Sequence, residues 1–116
     1  MKKILYIERS KMFQMMIRNI IEKNGGYVFV TSSGEKGLEI LSNENIDFII
    51  TAYIYDDMNA EKLIKSLNDD IPVILLSSYD EIKDVKSFFK LGISDYILKK
   101  DLKEDESINT ILDLLK

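Results

Sequence analysis

The stretch Ile46-Asp47-Phe48-Ile49-Ile50-Thr51-Ala52, followed by Tyr53-Ile54-Tyr55, decides the fold of this chain. Phe48 to Ile50 is an apolar, β-branched and short run, which suits a strand covered on both faces, as in a parallel sheet with helices above and below. In such sheets ligand chemistry collects beyond the carboxyl ends of the strands. The residue at this tip is Ala52, which can neither ionise, ligate a metal nor act as a nucleophile.

Strand-like and helix-like segments alternate on both sides of this run. Ile4-Leu5-Tyr6-Ile7 reads as a first strand ending at Glu8-Arg9-Ser10, and Ser10 is placed to cap a helix carrying Phe13, Met16, Ile17, Ile20 and Ile21. Asn24-Gly25-Gly26 ends that helix, because glycine tolerates the left-handed exit. Tyr27 to Val30 is the second strand, and Ser32 with Glu35 offers a capping box for a helix bearing Leu38, Ile40 and Leu41. Beyond Ala52 an acidic loop, Tyr55-Asp56-Asp57-Met58-Asn59, precedes a helix with Leu63, Ile64 and Leu67, and Asn68-Asp69-Asp70 turns the chain. Pro72 opens a fourth strand, Val73 to Leu76, which Ser77 closes; proline costs no ladder bond at a strand's first residue. Ser78 and Glu81 read as a second capping box, for a helix with Ile82, Val85, Phe88 and Phe89 that Gly92 stops. Ser94 to Leu98 is the fifth strand with Lys99 at its tip, and Ile108, Ile111, Leu112 and Leu115 form the stripe of a last helix. Five β-α units predict one α/β domain over residues 1–116, a parallel sheet with right-handed crossovers and helices on both faces. The last stripe runs to the final residue, which predicts a piece of a longer, multidomain protein.

Composition narrows the chemistry. The chain has 116 residues, 46% of them hydrophobic and 31% charged, enough for one closed core. It holds no cysteine, which excludes disulfides and thiolate chemistry, and no histidine, which removes the commonest general base and metal ligand. A formal net charge of −4 argues against gripping nucleic acid by its phosphates. No apolar run approaches a membrane span, and Met1-Lys2-Lys3 leads into a strand, not a signal-peptide core, so a cytoplasmic, non-membrane domain is expected.

Together these segments resemble the receiver domains of two-component response regulators over essentially the whole length. The resemblance implies a flavodoxin-like, doubly wound (βα)5 fold with strand order 2-1-3-4-5. It also implies an acidic pair after the first strand, a phosphate-accepting aspartate after the third, a hydroxyl after the fourth, and a lysine followed by proline after the fifth. Glu8 and Arg9 stand for the acidic pair, Ala52 for the acceptor, Ser77 for the hydroxyl and Lys99 for the lysine, while Lys100 replaces the proline. Tyr96 falls where the family has its aromatic switch residue, and Gly92-Ile93-Ser94-Asp95-Tyr96-Ile97-Leu98-Lys99 is the closest local match. The family's magnesium ion is held by the acidic pair and the acceptor. One glutamate beside an arginine is a poor magnesium site, and Ala52 cannot attack phosphorus.

The expected function is therefore that of a bacterial pseudo-receiver, not an enzyme and without cofactor or metal, that signals by protein contact. Its output is expected from a partner or a fused domain, for which the resemblance offers a diguanylate cyclase, a kinase or a DNA-binding domain. Two alternatives are an anion- or small-molecule-binding regulatory domain using Arg9, Ser77 and Lys99, and a phosphoryl-accepting receiver inactivated by an engineered Ala52. Lys99 is expected to pair with Glu8 or Asp56, since a partly buried ammonium needs a partner. Asp56 and Asp57 are expected to serve helix capping, not phosphate acceptance. Of Met12, Met15 and Met16, core packing is expected for Met16 and one other. Phe89 is expected in the core, and the fourth helix, fifth strand and last helix are the expected homodimer face, with Phe88 and Tyr96 as its apolar surface.

Overall fold

The computed structural model describes residues 1–68, 70–78 and 83–116. Strands and helices alternate as β1 Lys3–Ile7, α1 Lys11–Lys23, β2 Tyr27–Thr31, α2 Gly34–Asn43, β3 Phe48–Thr51, α3 Ala60–Lys65, β4 Val73–Ser77, α4 Val85–Leu91, β5 Asp95–Leu98 and α5 Asp105–Leu115, with a 3-10 turn at Lys99–Asp101. All pairings between the strands are parallel and their order is β2-β1-β3-β4-β5, the flavodoxin-like arrangement.

Side chains alternate across the sheet and fill two separate cores. Ile4, Tyr6, Phe48, Ile50, Ile74 and Leu76 point to the side covered by α1 and α5, where Ile17, Ile21 and Ile111 meet them. Leu5, Ile7, Ile49, Val73 and Leu75 point to the side covered by α2, α3 and α4, against Leu63, Ile64 and Phe88. Every residue of β3 is buried, as its sequence requires. Full burial of one such side chain contributes about 1.5–3 kcal/mol, whereas an exposed ion pair contributes about 0–1 kcal/mol. The two-sided core therefore fixes the register, and the surface pairs Arg18–Glu22, Lys36–Glu39 and Lys65–Glu61 only trim it.

Local structure departs from the sequence reading at several caps. Gly25 ends α1 at φ 84°, as its position suggests. The cap of α2 is Ser33, not Ser32: Ser33 Oγ accepts from Lys36 N at 3.1 Å. Asp57, far along the chain, completes that cap. Its carboxylate accepts from Gly34 N at 2.8 Å, Glu35 N at 3.0 Å and the Ser33 hydroxyl at 2.9 Å. Asp56 accepts from the Ser32 hydroxyl at 2.6 Å. The two aspartates do cap, but they cap α2 and not the helix that follows them, α3, which Asn59 caps. Close approach makes this latch feasible: a Cβ on Gly34 would fall 2.5 Å from Met58 and 2.8 Å from the Tyr55 ring. Asp69 of the expected turn, and Glu81 and Ile82 of the expected second capping box, lie outside the described residues.

Two apolar assignments are corrected as well. Phe88 is 4% exposed, with its ring edge-on to Tyr53, while Phe89 on the opposite side of the short helix is 47% exposed. Adjacent residues on a helix point about 100° apart, so only one of the pair can reach the core. Met12 and Met15 are both exposed, and Met16 alone of the three packs on the core.

The latch carries a pH signature. The Glu35 amide first, then the Gly34 amide and the Ser33 hydroxyl, hold the Asp57 carboxyl below the usual aspartate range, against the opposing effect of burial. A carboxyl with a lowered folded-state pKa contributes stability above its unfolded value of about 3.9 and loses it as pH falls through the folded value. Asp57→Ala is expected to lower the urea midpoint at pH 7, and the gap between parent and variant should shrink as pH is taken below about 4. An equal gap at both ends of that range would show that the carboxylate charge plays no part.

Candidate functional site

The carboxyl ends of β1, β3 and β5 bring Glu8, Ala52 and Lys99 to one edge of the sheet. Glu8 continues β1, its amide donating to Thr31 O at 2.9 Å, and its carbonyl accepts from Gln14 Nε2 at 2.6 Å. Ala52 continues β3, its amide donating to Ile7 O at 2.9 Å. Lys99 follows β5 directly.

The Glu8 carboxylate is 2% exposed and fully engaged. Oε1 accepts from Lys99 Nζ at 2.8 Å and from the Tyr6 hydroxyl at 3.0 Å, and Oε2 accepts from Ser10 N at 2.9 Å. Lys99 is itself largely covered, and its ammonium stands 4.6 Å above the centre of the Phe13 ring. Burial, and then the neighbouring Glu8 charge, push the Tyr6 phenol far above its ordinary range, so it stays protonated and donates. Lys99 thus chose Glu8 over Asp56, which is held by Ser32.

Arg9 takes the other course. It is exposed and forms no ion pair among the described residues, so its guanidinium is hydrated. A cavity of about 330 Å³ is bounded by Glu8, Arg9, Ser10, Ala52, Ile54 and Lys99. Its ionic lining is two cations against one carboxylate. Ser77, expected in this pocket, is not among its lining residues. It is buried, and its hydroxyl lies 3.2 Å from the Tyr96 hydroxyl and donates to Ser78 O at 3.4 Å. The neighbouring loop is pinned from below by the hydrogen bond between Thr51 Oγ1 and the buried Tyr55 hydroxyl.

These residues do not fit a divalent cation. Magnesium needs carboxylate oxygens with free lone pairs, and here the one carboxylate is spent on an ammonium, a phenol and an amide. Among the described residues no three acidic side chains converge. Tyr6 and Phe13 are the contributors that the sequence reading missed. A tyrosine two places before a glutamate on one strand shares its face, so Tyr6 was legible as a donor to Glu8.

The buried pair gives a direct test. Lys99→Met strands the Glu8 charge in the interior and should cost about 3–5 kcal/mol of unfolding free energy. Glu8→Gln combined with Lys99→Met removes both charges while keeping an acceptor for Tyr6 and Ser10, and it should recover most of that loss. Urea unfolding of the three proteins measures this; a single variant as stable as the parent would show that the pair is not buried in solution.

The family model for the response regulator receiver domain matches residues 4–111. The chain is 30% identical over 97 residues to the heme response regulator HssR of Staphylococcus epidermidis, covering 82% of this chain and 43% of that protein. It is also 30% identical over 109 residues to the transcriptional regulatory protein CrdR of Helicobacter pylori, covering 90% of this chain and 51% of that protein. The chain thus spans about half the length of these relatives, or less. Among solved structures it superposes on the receiver domain of the TMAO respiratory system response regulator TorR with TM-score 0.87 at 25% identity, covering 99% of this chain and 97% of that one. The receiver domain of the Francisella response regulator 1452 gives TM-score 0.86 at 27% identity, with the same coverage.

Proposed function

This chain belongs to the response regulator receiver domain family, and from that premise we propose that it is a receiver that works by protein contact and takes no phosphoryl group at the usual position. One observation carries the reading: the Glu8 carboxylate, the only acidic group lining the site among the described residues, is held in a buried pair with Lys99. In the family these positions hold a metal and a phosphoryl group. Here an internal ammonium neutralises the carboxylate, and Ala52 supplies no nucleophile. The domain is regulatory and not catalytic, cytoplasmic and of bacterial type, and its output resides in a partner or in further domains of a longer protein. Its net charge of −4 disfavours direct contact with nucleic acid. Among the described residues no helix is long and apolar enough to cross a membrane.

The anion-binding alternative gains one support, the hydrated Arg9 beside a cavity with an excess of positive charge. It loses another, because Ser77 does not line that cavity and its hydroxyl meets Tyr96.

Restoring the acceptor alone will not restore the chemistry. In Ala52→Asp the new carboxylate meets Arg9 and Lys99, and a unit charge a few ångströms away is worth about 1–4 kcal/mol at effective dielectrics between water and a protein surface. The new aspartate is drawn into ion pairs, while Arg9 repels a divalent ion. Intact-mass spectrometry after acetyl phosphate treatment should show negligible labelling of the parent and of Ala52→Asp. Arg9→Asp with Ala52→Asp should label in a magnesium-dependent manner. Robust labelling of the parent would overturn the reading, and labelling of the single variant would show that Arg9 is not the obstacle.

The contact face we assign is α4, β5 and α5. Phe89 is 47% exposed and, with Val85, Tyr96 and Leu98, borders an open groove of about 490 Å³. Exposed Lys86 and Lys90 on α4, and Asp105 and Glu106 at the start of α5, give this face both signs of charge, as a self-complementary surface requires. Phe89, and not the buried Phe88, is the residue to change. Light scattering over a concentration series is expected to show dimers for the parent and monomers for Phe89→Glu. Dimers in the variant would exclude Phe89 as a central contact, and a monomeric parent would remove the homodimer.

A further inference from the structure

The opposite edge of the sheet holds a second cleft. It lies where α2 and α3 end, beside the residues that lead into β3 and β4, and its volume is about 380 Å³. Its floor is apolar: Leu38, Leu41, Ile46, Leu67 and Ile71 line it, and all five rest on the core beneath α2, α3 and α4. Ser42, Glu44, Asn45, Asp47, Ser66 and Asn68 complete the lining, so the apolar floor is ringed by a polar rim, and the size is one that small-molecule sites commonly have.

The rim has one sign of charge. Among the described residues that line it, Glu44 and Asp47 are the only ionisable ones, and neither a lysine nor an arginine shares the lining. The carbonyl end of α2 adds partial negative charge, because Glu44 is its C-cap and its last turn contains no basic residue. Lys3 offsets part of this. Its ammonium stands 3.4 Å from Glu44, with both side chains well exposed, so that pair is weak. Asp47 accepts from a neutral donor, the Lys3 amide at 2.7 Å, and forms no ion pair among the described residues. Two carboxylates of the lining and the end of α2 face one exposed ammonium, so the mouth is negative over an apolar floor. Lys62 and Lys65 in the last turn of α3 lie outside the lining, and Lys65 is paired with Glu61.

We propose that this cleft binds a small organic monocation, a guanidinium or ammonium group on an apolar stem of a few carbons. The stem lies on Leu41, Ile46 and Ile71, and the head meets Glu44 and Asp47. A planar guanidinium suits a carboxylate best, because it donates two parallel hydrogen bonds. Glu8, Ala52 and Lys99 take no part, since they follow the carboxyl ends of the strands while Ile46 and Ile71 precede the amino ends. The site therefore stands or falls separately from the closed receiver pocket.

Methyl-labelled full chain titrated with n-butylguanidinium chloride at constant ionic strength provides the test. Saturable shifts are expected at the methyls of Leu38, Leu41, Ile46, Leu67 and Ile71, with a Kd on the order of 1 mM, reasonable for so few heavy atoms. Butyrate, with a similar stem and the opposite charge, should produce no saturable shift there. Glu44→Gln, a change at the surface that leaves the fold intact, should weaken binding about threefold, the effect of one exposed charge pair. The proposal is overturned by no saturable shift with n-butylguanidinium, by an equal response to butyrate, or by shifts confined to methyls away from the cleft. Binding unchanged in Glu44→Gln would overturn the role given to the carboxylate rim.

Discussion

Two-sided burial of the inner strands is the constraint on which everything else rests. A strand with helices on both faces has no position free for a polar side chain until it emerges from between them. The first residues that can be polar are those at its carboxyl end. Glu8 and Ala52 stand one place beyond β1 and β3, Ser77 closes β4, and Lys99 follows β5. They are far apart in the chain, and the parallel strands bring them to one edge, where Glu8, Ala52 and Lys99 line a common cavity and Ser77 does not. A site at this edge follows from the sheet, whatever chemistry the residues there perform.

The chemistry follows from charge balance. Two cations and one carboxylate reach the edge, and only one cation can be neutralised there. Removing a carboxylate from water is costly unless it is paired and hydrogen-bonded. Glu8 is the buried group, so the cation that can come inside, Lys99 over the ring of Phe13, is the one it takes. Arg9 remains in water, where its charge costs little. The pair, the Tyr6 hydroxyl and the Ser10 amide leave no buried side-chain donor or acceptor without a partner among the described residues. Such a network resists exchange, because extracting Lys99 would expose Glu8 unpaired.

Much of this was legible in the sequence because it depends on periodicity. The unbroken Phe48 to Ile50 run and the alternation of segments gave the layers, and residues at strand tips gave Glu8, Ala52 and Lys99. What escaped depended on contacts between distant segments. No local pattern says that Asp57 caps α2, since Ser32 and Glu35 make an equally good capping box on paper; only the approach of Met58 and Tyr55 to Gly34 decides it. Phe88 and Phe89 are chemically identical neighbours, and the phase of a helix of only seven residues cannot be fixed from so few apolar positions. Ser77 was placed in the pocket by its position at a strand end, but side chains alternate, and a buried hydroxyl goes to the nearest partner, here Tyr96.

That last contact bears on how a receiver whose strand-end carboxylate is already paired can carry a signal. A ligand shifts a conformational equilibrium only through differential affinity for the two states. On the proposed reading, with Glu8 and Lys99 paired and Ala52 in place of an acceptor, the strand-end edge offers a phosphoryl group no such difference. Ser77 and Tyr96 on that reading receive no signal from the strand-end edge, and their hydroxyl contact joins β4 to β5. On the proposed reading the α4, β5 and α5 face is constant, and what changes is whether a partner occupies it. Control in that case lies in the partner's concentration or in the segments joined to this domain, where binding to a fixed surface converts mass action into signal.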